Sequence, residues 1–209
     1  HAKGRHSKGT LIHDNCTNIA IVGNLYAHNV NRNPLFKGGA SGVVVNNYIY
    51  DPYSRAIHYA LVTSEWGDRP RQAGRLAIVG NVFQHGPSTR DDAVFYQCRA
   101  GSECEVFLSD NRMFDIKGNA LEATAVGGRD TSDEMHRVTT PPLWPDGLKA
   151  LPAAEVERQV LDNAGARPWD RDEVDRRIVQ QVRSKTGGFV DSEREVGGYP
   201  APTPTRAPF

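Results

Sequence analysis

Four asparagines set the frame for this chain. Aligned on Asn24, Asn47, Asn81 and Asn111, four segments share one pattern: Ile19-Ala20-Ile21-Val22-Gly23-Asn24-Leu25-Tyr26, Val43-Val44-Val45-Asn46-Asn47-Tyr48-Ile49-Tyr50, Leu76-Ala77-Ile78-Val79-Gly80-Asn81-Val82-Phe83 and Val106-Phe107-Leu108-Ser109-Asp110-Asn111-Arg112-Met113-Phe114. Each is an apolar, mostly β-branched run, then Asn, then an apolar or aromatic pair, then a polar break. The asparagines are separated by 23, 34 and 30 residues. A constant core at an irregular period is what a solenoid gives, because insertions fall in loops while the cross-section stays fixed. At a sharp bend Asn tolerates the left-handed conformation and bonds the neighbouring backbone. Stacked, such amides also bond one another as a ladder. The pattern predicts an all-β fold, a right-handed parallel β-helix (single-stranded solenoid) with Ile, Val, Leu and Phe inside.

Composition limits the partners. The 209 residues carry 25 Lys+Arg against 25 Asp+Glu, so affinity for an acidic polymer must come from a local patch. Nothing in that balance calls for nucleic acid, and no apolar stretch approaches the ~20 residues of a membrane span. Cys16, Cys98 and Cys104 are an odd count, and a disulfide between Cys98 and Cys104 is left open.

Between the first two units lies Arg32-Asn33-Pro34-Leu35-Phe36-Lys37-Gly38-Gly39. Two cations an odd number of residues apart on extended chain face opposite sides unless a bend intervenes, and Pro34 with the glycines supplies the means for one. With Val43 to Tyr50 behind it, this segment resembles the core of the pectate lyase family of polysaccharide lyases: Arg-x-Pro, two residues, a second basic residue, then a strand ending in Asn-Asn. His6-Ser7-Lys8-Gly9-Thr10-Leu11-Ile12 resembles the strand of that family that carries a substrate-contacting lysine. Gly165-Ala166-Arg167-Pro168-Trp169-Asp170-Arg171-Asp172, with Asp191-Ser192 and Gly197-Gly198-Tyr199-Pro200, is similar to the C-terminal extension of secreted bacterial members.

The resemblance implies calcium-assisted β-elimination on polygalacturonate by a secreted or periplasmic monomer. It assigns Arg32 as the base that takes the C5 proton, with Lys8 and Lys37 at substrate carboxylates; Lys37 stands where the family usually has Arg. Calcium ligands are expected on strands preceding Lys8, so no metal ligand is assigned in this chain, which is read as the C-terminal portion of a longer protein. His6, beside Lys8, is the histidine expected to face substrate. The chemistry also stands without the family. Removing a uronate C5 proton builds charge toward an enolate, and cations at the adjacent carboxylate stabilise that charge more than the ground state. An arginine side chain ordinarily keeps its proton beyond pH ~12, so the role asks for like-charged neighbours or a high operating pH. Lys8, Arg32 and Lys37 on adjacent coils are expected within roughly 5–10 Å of one another, given the ~4.8 Å strand spacing. The other reading is an inactive β-helix that binds acidic polysaccharide.

The second half is organised differently. Residues 1–151 are assigned to coils and loops, 152–186 to a two-helix C-terminal extension and 187–209 to an extended Pro-rich tail. The long excursion over 117–151, with Gly127 to Asp133 and Thr140-Pro141-Pro142-Leu143-Trp144-Pro145, is expected to lie on a coil face, lining or docking on the substrate cleft. Pro152 opens a helix with Val156, Val160, Leu161 and Ala164 on one stripe. Asp170 with Glu173 resembles a capping box for a second helix carrying Val174, Ile178, Val179 and Val182. Asp91-Asp92 is the carboxylate pair a glycosidase would need, without that class's companion motifs. His28, His58 and His85 are expected at strand ends as turn residues. Tyr26, Tyr48, Tyr50 and Tyr53 are expected to stack within the coil rather than on sugar.

Overall fold

A computed structural model describes residues 6–99, 101–126 and 135–199. The chain visits three sheets in rotation. β1 (Leu11–Ile12), β2 (Ile19–Val22) and β3 (Leu25–Ala27) come first, then β4 (Leu35–Lys37), β5 (Ser41–Val45) and β6 (Tyr48–Tyr50). β7 (Arg55–Ala60), the short helix α1 (Thr63–Trp66), β8 (Gly74–Val79) and β9 (Val82–Gln84) form the next round. β10 (Val94–Cys98), β11 (Cys104–Ser109) and β12 (Arg112–Phe114) follow, and β13 (Ala120–Leu121), β14 (Ala125–Val126) and β15 (Met135–Arg137) complete the sheets. The orders are β1-β4-β7-β10-β14, β2-β5-β8-β11-β15 and β3-β6-β9-β12-β13. Every named pair is parallel except β12–β13. The arrangement is all-β in character and β-helix-like.

Register explains why the apolar runs recur. Ile12, Phe36, Tyr59 and Cys98 lie abreast in the first sheet, Ile21, Val44, Ile78 and Leu108 in the second, and Tyr26, Ile49, Phe83 and Met113 in the third. These rows face one another across a common core. Full burial of each such side chain is worth about 1.5–3 kcal/mol.

The asparagines do form a ladder. Asn47 Oδ1 accepts from the backbone N–H (2.9 Å) and side-chain amide (3.0 Å) of Asn24. Asn81 Oδ1 does the same for Asn47 at 3.0 and 2.9 Å, and Asn111 Oδ1 for Asn81 at 3.0 and 3.1 Å. Each lower amide also donates down the stack, Asn47 to Ile21 O, Asn81 to Val44 O and Asn111 to Ile78 O. The left-handed backbone falls one residue earlier than expected, on Gly23, Asn46, Gly80 and Asp110 at φ 68°, 54°, 65° and 46°. The preceding residue turns the corner, which leaves the asparagine side chain directed along the stack.

Two helices, α2 (Ala153–Asn163) and α3 (Glu173–Ser184), follow the strands. Val156, Val160 and Leu161 cover Tyr48, Tyr50 and Val82 on the outer face of the third sheet. The start of α2 is held by the corner residues themselves: Asp110 accepts from Ala153 N (2.8 Å), and the Asn46 amide exchanges two 2.8 Å bonds with the Leu151 backbone. α3 is capped by Asp172, which accepts from Asp175 N at 2.8 Å, not by Asp170 with Glu173. Asp172 wins because its extended backbone immediately precedes the first helical residue.

Leu143, Trp144 and Leu148 pack on Val43, Val45 and Ala77, so the excursion docks on the outer face of the second sheet. Its Gly127 to Asp133 portion lies outside the described residues. The tail is not wholly extended: Glu193–Val196 form a 3-10 turn closed by a capping box between Ser192 and Glu195. The Pro-rich run 201–208 also lies outside the described residues.

Candidate functional site

The first sheet's outer face gathers the cations. Lys8 makes a parallel bridge with Asn31, immediately before Arg32. Arg32 itself adopts φ 69°, and the Asn33–Pro34 peptide that follows is cis, so the expected bend falls here. β7 runs alongside: Tyr53 N donates to Val30 O and His58 N to Pro34 O, which places Arg55 beside Arg32. Burial first, then the charges of Arg32 and Arg55, hold the Lys8 ammonium below lysine's ordinary range. The charge of Arg32 therefore reaches Lys8.

Sequence reasoning missed the rest of this cluster. His58 is not at a strand end but inside β7, abreast of Leu35 on one side and Gln97 on the other. Arg55 donates through its Nη1 to Gln97 Oε1. Arg99, exposed, stands two residues beyond Gln97 and donates its backbone N–H to Tyr59 O. His58 is 5 % exposed. Burial, then Arg55, Arg99, Arg32 and Lys8, push its pKa well below the usual histidine value, so it is a neutral imidazole. Burial and Arg99 likewise lower Arg55. Two buried nitrogens of the cluster, Arg55 Nε and His58 Nδ1, have no hydrogen-bond partner among the described residues.

Lys37 stands elsewhere. It is 6 % exposed, pairs with Glu65 and lies 3.3 Å from Asp14 Oδ2. Trp66 donates through Nε1 to the other Asp14 oxygen at 2.8 Å. Desolvation raises the Asp14 pKa, but the bond from Trp66 and the charge of Lys37 outweigh it, and the carboxyl titrates below its ordinary value. Lys37 is thus held by Asp14 and Glu65, and its charge is not among those that act on Lys8 or His58. Among the described residues, His13, Asp14 and Glu65 are the one group whose ligand atoms converge as a metal site would need, within 4.8 Å of one another. Calcium takes six to eight oxygens, whereas this group offers two carboxylates and an imidazole already serving an ammonium. It does not fit calcium.

The remaining candidates have other surroundings. His6 is exposed on the segment leading to Lys8. His28 Nδ1 lies 2.8 Å from Asp51 Oδ2, and the fully buried Asp51 also accepts from Ser88 N at 2.7 Å. Asp92 is engaged twice by Arg90, at 2.7 and 2.6 Å. Cys98 and Cys104 are both thiols in the core, Cys98 donating to Ser102 O at 3.1 Å. Tyr26 is in the core, Tyr48 and Tyr50 lie under α2, and Tyr53 is exposed against Phe189 and Arg90 rather than stacked within the coil.

A cavity of about 580 Å³ lies between the β2–β3 corner and the α2–α3 junction, away from this cluster. Its Arg171 is occupied by the carbonyls that end α2, Leu161 O at 2.7 Å and Ala164 O at 3.0 Å. The basic cluster lies on the first sheet instead. Among the described residues no helix is long and apolar enough to cross a membrane. Compared with known proteins, the chain matches no family model and no curated protein.

Proposed function

We propose that this chain is a right-handed parallel β-helix of pectate lyase type with a helical C-terminal extension, and that it cleaves polygalacturonate by β-elimination. Arg32 removes the C5 proton and Lys8 contacts the uronate carboxylate. The observation that carries this reading is that Lys8 and Arg32 lie side by side on one sheet, where burial and then the charges of Arg32 and Arg55 lower the Lys8 ammonium. Such a field stabilises an enolate-like charge without reorganising during the reaction. In this reading Lys37 fixes Asp14 and the α1 segment and does not touch sugar. Calcium is expected from the family resemblance, and no step is assigned to it here.

The test is to incubate the protein with polygalacturonate, with and without calcium, and follow ultraviolet absorbance of unsaturated products. A rise that Arg32→Ala removes, with an unchanged unfolding curve, is the expected result. No rise with polymer binding retained would make the protein an inactive β-helix that binds acidic polysaccharide. Neither activity nor binding would overturn both.

A further inference from the structure

The two ends of the stack are finished differently. At the far end β13 runs antiparallel to β12, which stops the parallel repeat of the third sheet. At the near end β1, β2 and β3 each have a strand on one side only. Natural edge strands are commonly blunted by charge or proline. Ile19-Ala20-Ile21-Val22 carries neither, and Val22, like Leu11 of β1, is an exposed apolar side chain. Ile21 is partly exposed, whereas Val44 and Ile78 in the same row are fully buried.

The asparagine ladder is unfinished at this same end. The side-chain oxygens of Asn47, Asn81 and Asn111 each accept two bonds from the asparagine of the preceding round, and their amides each donate to a carbonyl of that round. Asn24 does neither among the described residues. Its amide donates to Val22 O and Asn47 Oδ1, and its exposed oxygen accepts nothing. The N–H that follows each later ladder asparagine bonds the asparagine carbonyl of the round before: Tyr48 to Asn24, Val82 to Asn47 and Arg112 to Asn81, all at 2.9 Å. Leu25 N–H holds the same position with no described round to meet. The α2–α3 junction stands across this corner and leaves the cavity of about 580 Å³, walled by Asn24, Leu25, Asn163, Asp175 and Ile178.

We propose that this end of the stack is a docking surface for an extended polypeptide strand that adds parallel to β2 and β3 and carries asparagine at the ladder position. Parallel addition is how successive rounds already pair in the second and third sheets, from β2 to β11 and from β3 to β12. In strand addition the main chain gives affinity and the side chains give specificity. The asparagine of the added strand places its N–H and its amide together on Asn24 Oδ1, as the three existing rungs do, and its carbonyl accepts from Leu25 N–H. An ionised Asp has no donor for that role, and Ser or Thr has a single O–H. A second copy of the chain meeting this end face to face offers no such donor. Both amide hydrogens of its own Asn24 are already given to Val22 O and Asn47 Oδ1. The cavity leaves room for the corner of the added strand beside the helices. This surface lies apart from the basic cluster and needs no sugar.

The test titrates the full protein with a lysine-flanked peptide of the sequence 41–50, which carries the ladder pattern around Asn47, and with the Asn47→Ala form of that peptide. NMR follows the Asn24 amide, and hydrogen exchange follows Leu25. The asparagine peptide should bind saturably, shift Asn24 and protect the Leu25 N–H. The alanine peptide should bind about tenfold more weakly, the loss expected for one or two hydrogen bonds. Asn24→Ala in the protein should bring the asparagine peptide down to the affinity of the alanine peptide and cost the alanine peptide nothing further, as a coupled pair requires. Val22→Lys, which puts a charge on the exposed edge, should abolish binding of both peptides. The comparison of the two peptides on wild type holds whatever Asn24→Ala does to folding. Equal affinity for the two peptides, protection at β13 to β15 in place of Leu25, or no binding overturns the proposal. Self-association that Val22→Lys removes, with no peptide binding, would assign the surface to a second copy and overturn it as well.

Discussion

Two buried polar systems run across this molecule, and they are finished in opposite ways. In the asparagine ladder each side-chain oxygen from Asn47 to Asn111 accepts two bonds, and each amide from Asn24 to Asn81 donates to the next. In the basic cluster of the first sheet, like charges sit side by side and two buried nitrogens have no partner. A closed network holds the corners of the stack together and asks nothing of a ligand. An open one leaves the cost of its unpaired donors in the folded protein. The difference teaches that residues recurring in register satisfy one another, whereas cations gathered from rounds of unequal length do not.

The largest expected effect breaks the closed system. Asn81→Ala removes the acceptor of the Asn47 backbone N–H and side-chain amide and the side-chain donor to Val44 O, Val79 O and Asn111 Oδ1, although Asn47 Nδ2, Val79 O and Asn111 Oδ1 each keep another partner. At 1–3 kcal/mol for each buried group left unpaired, partly relieved by relaxation, the loss of stability should be about 3–5 kcal/mol. Urea denaturation measures it, and sugar binding by the protein that remains folded should not change.

Acid should sharpen the contrast through His58. Its folded pKa lies well below the ordinary 6.5, so the unfolded chain binds the extra proton first. Stability contributed by the neutral form is therefore complete above pH ~6.5 and falls by up to ~1.4 kcal/mol per pH unit below it. His58→Gln should flatten that slope in denaturation midpoints measured from pH 7 to pH 5.

Lys37→Met tests the separate ion cluster and should cost about 1–2 kcal/mol, between the exposed and buried limits for ion pairs. The Asp14 pKa is depressed, so its contribution is present above its unfolded value and lost as pH falls through the folded one. The variant should accordingly lose less stability than wild type between pH 5 and pH 3, and should bind trigalacturonate normally. Arg99→Ala is the smallest perturbation of the fold, within ±0.5 kcal/mol of wild type, as befits an exposed side chain.

Much of the scaffold was legible because one short unit recurs and each recurrence lands in register on the last. The runs before Asn24, Asn47, Asn81 and Asn111, the ladder, and the stripe of α2 could all be read from residue spacing. The corner conformation was assigned one residue late, since Asn46-Asn47 and Asp110-Asn111 put two turn-forming residues side by side. The cap of α3 was placed two residues early for a similar reason, with Asp170 and Asp172 both available. The cation site was half legible. Lys8 and Arg32 sit on neighbouring strands and their spacing is one round of the stack. Arg55, His58 and Arg99 follow rounds of unequal length, and a lone histidine among apolar residues looks like core. Lys37 finds its carboxylates on a loop and on α1, contacts between distant residues that no local pattern announces.

The most direct measurement is a nitrogen-detected NMR titration with trigalacturonate that follows the Lys8 ammonium, the Arg32 Nε and the ladder amides together. The account predicts saturable shifts at Lys8 and Arg32 with one common affinity, and none at Asn47 or Asn81. Shifts confined to the ladder, or to residues around Ala164 and Ile178 beside the α2–α3 cavity, would contradict it.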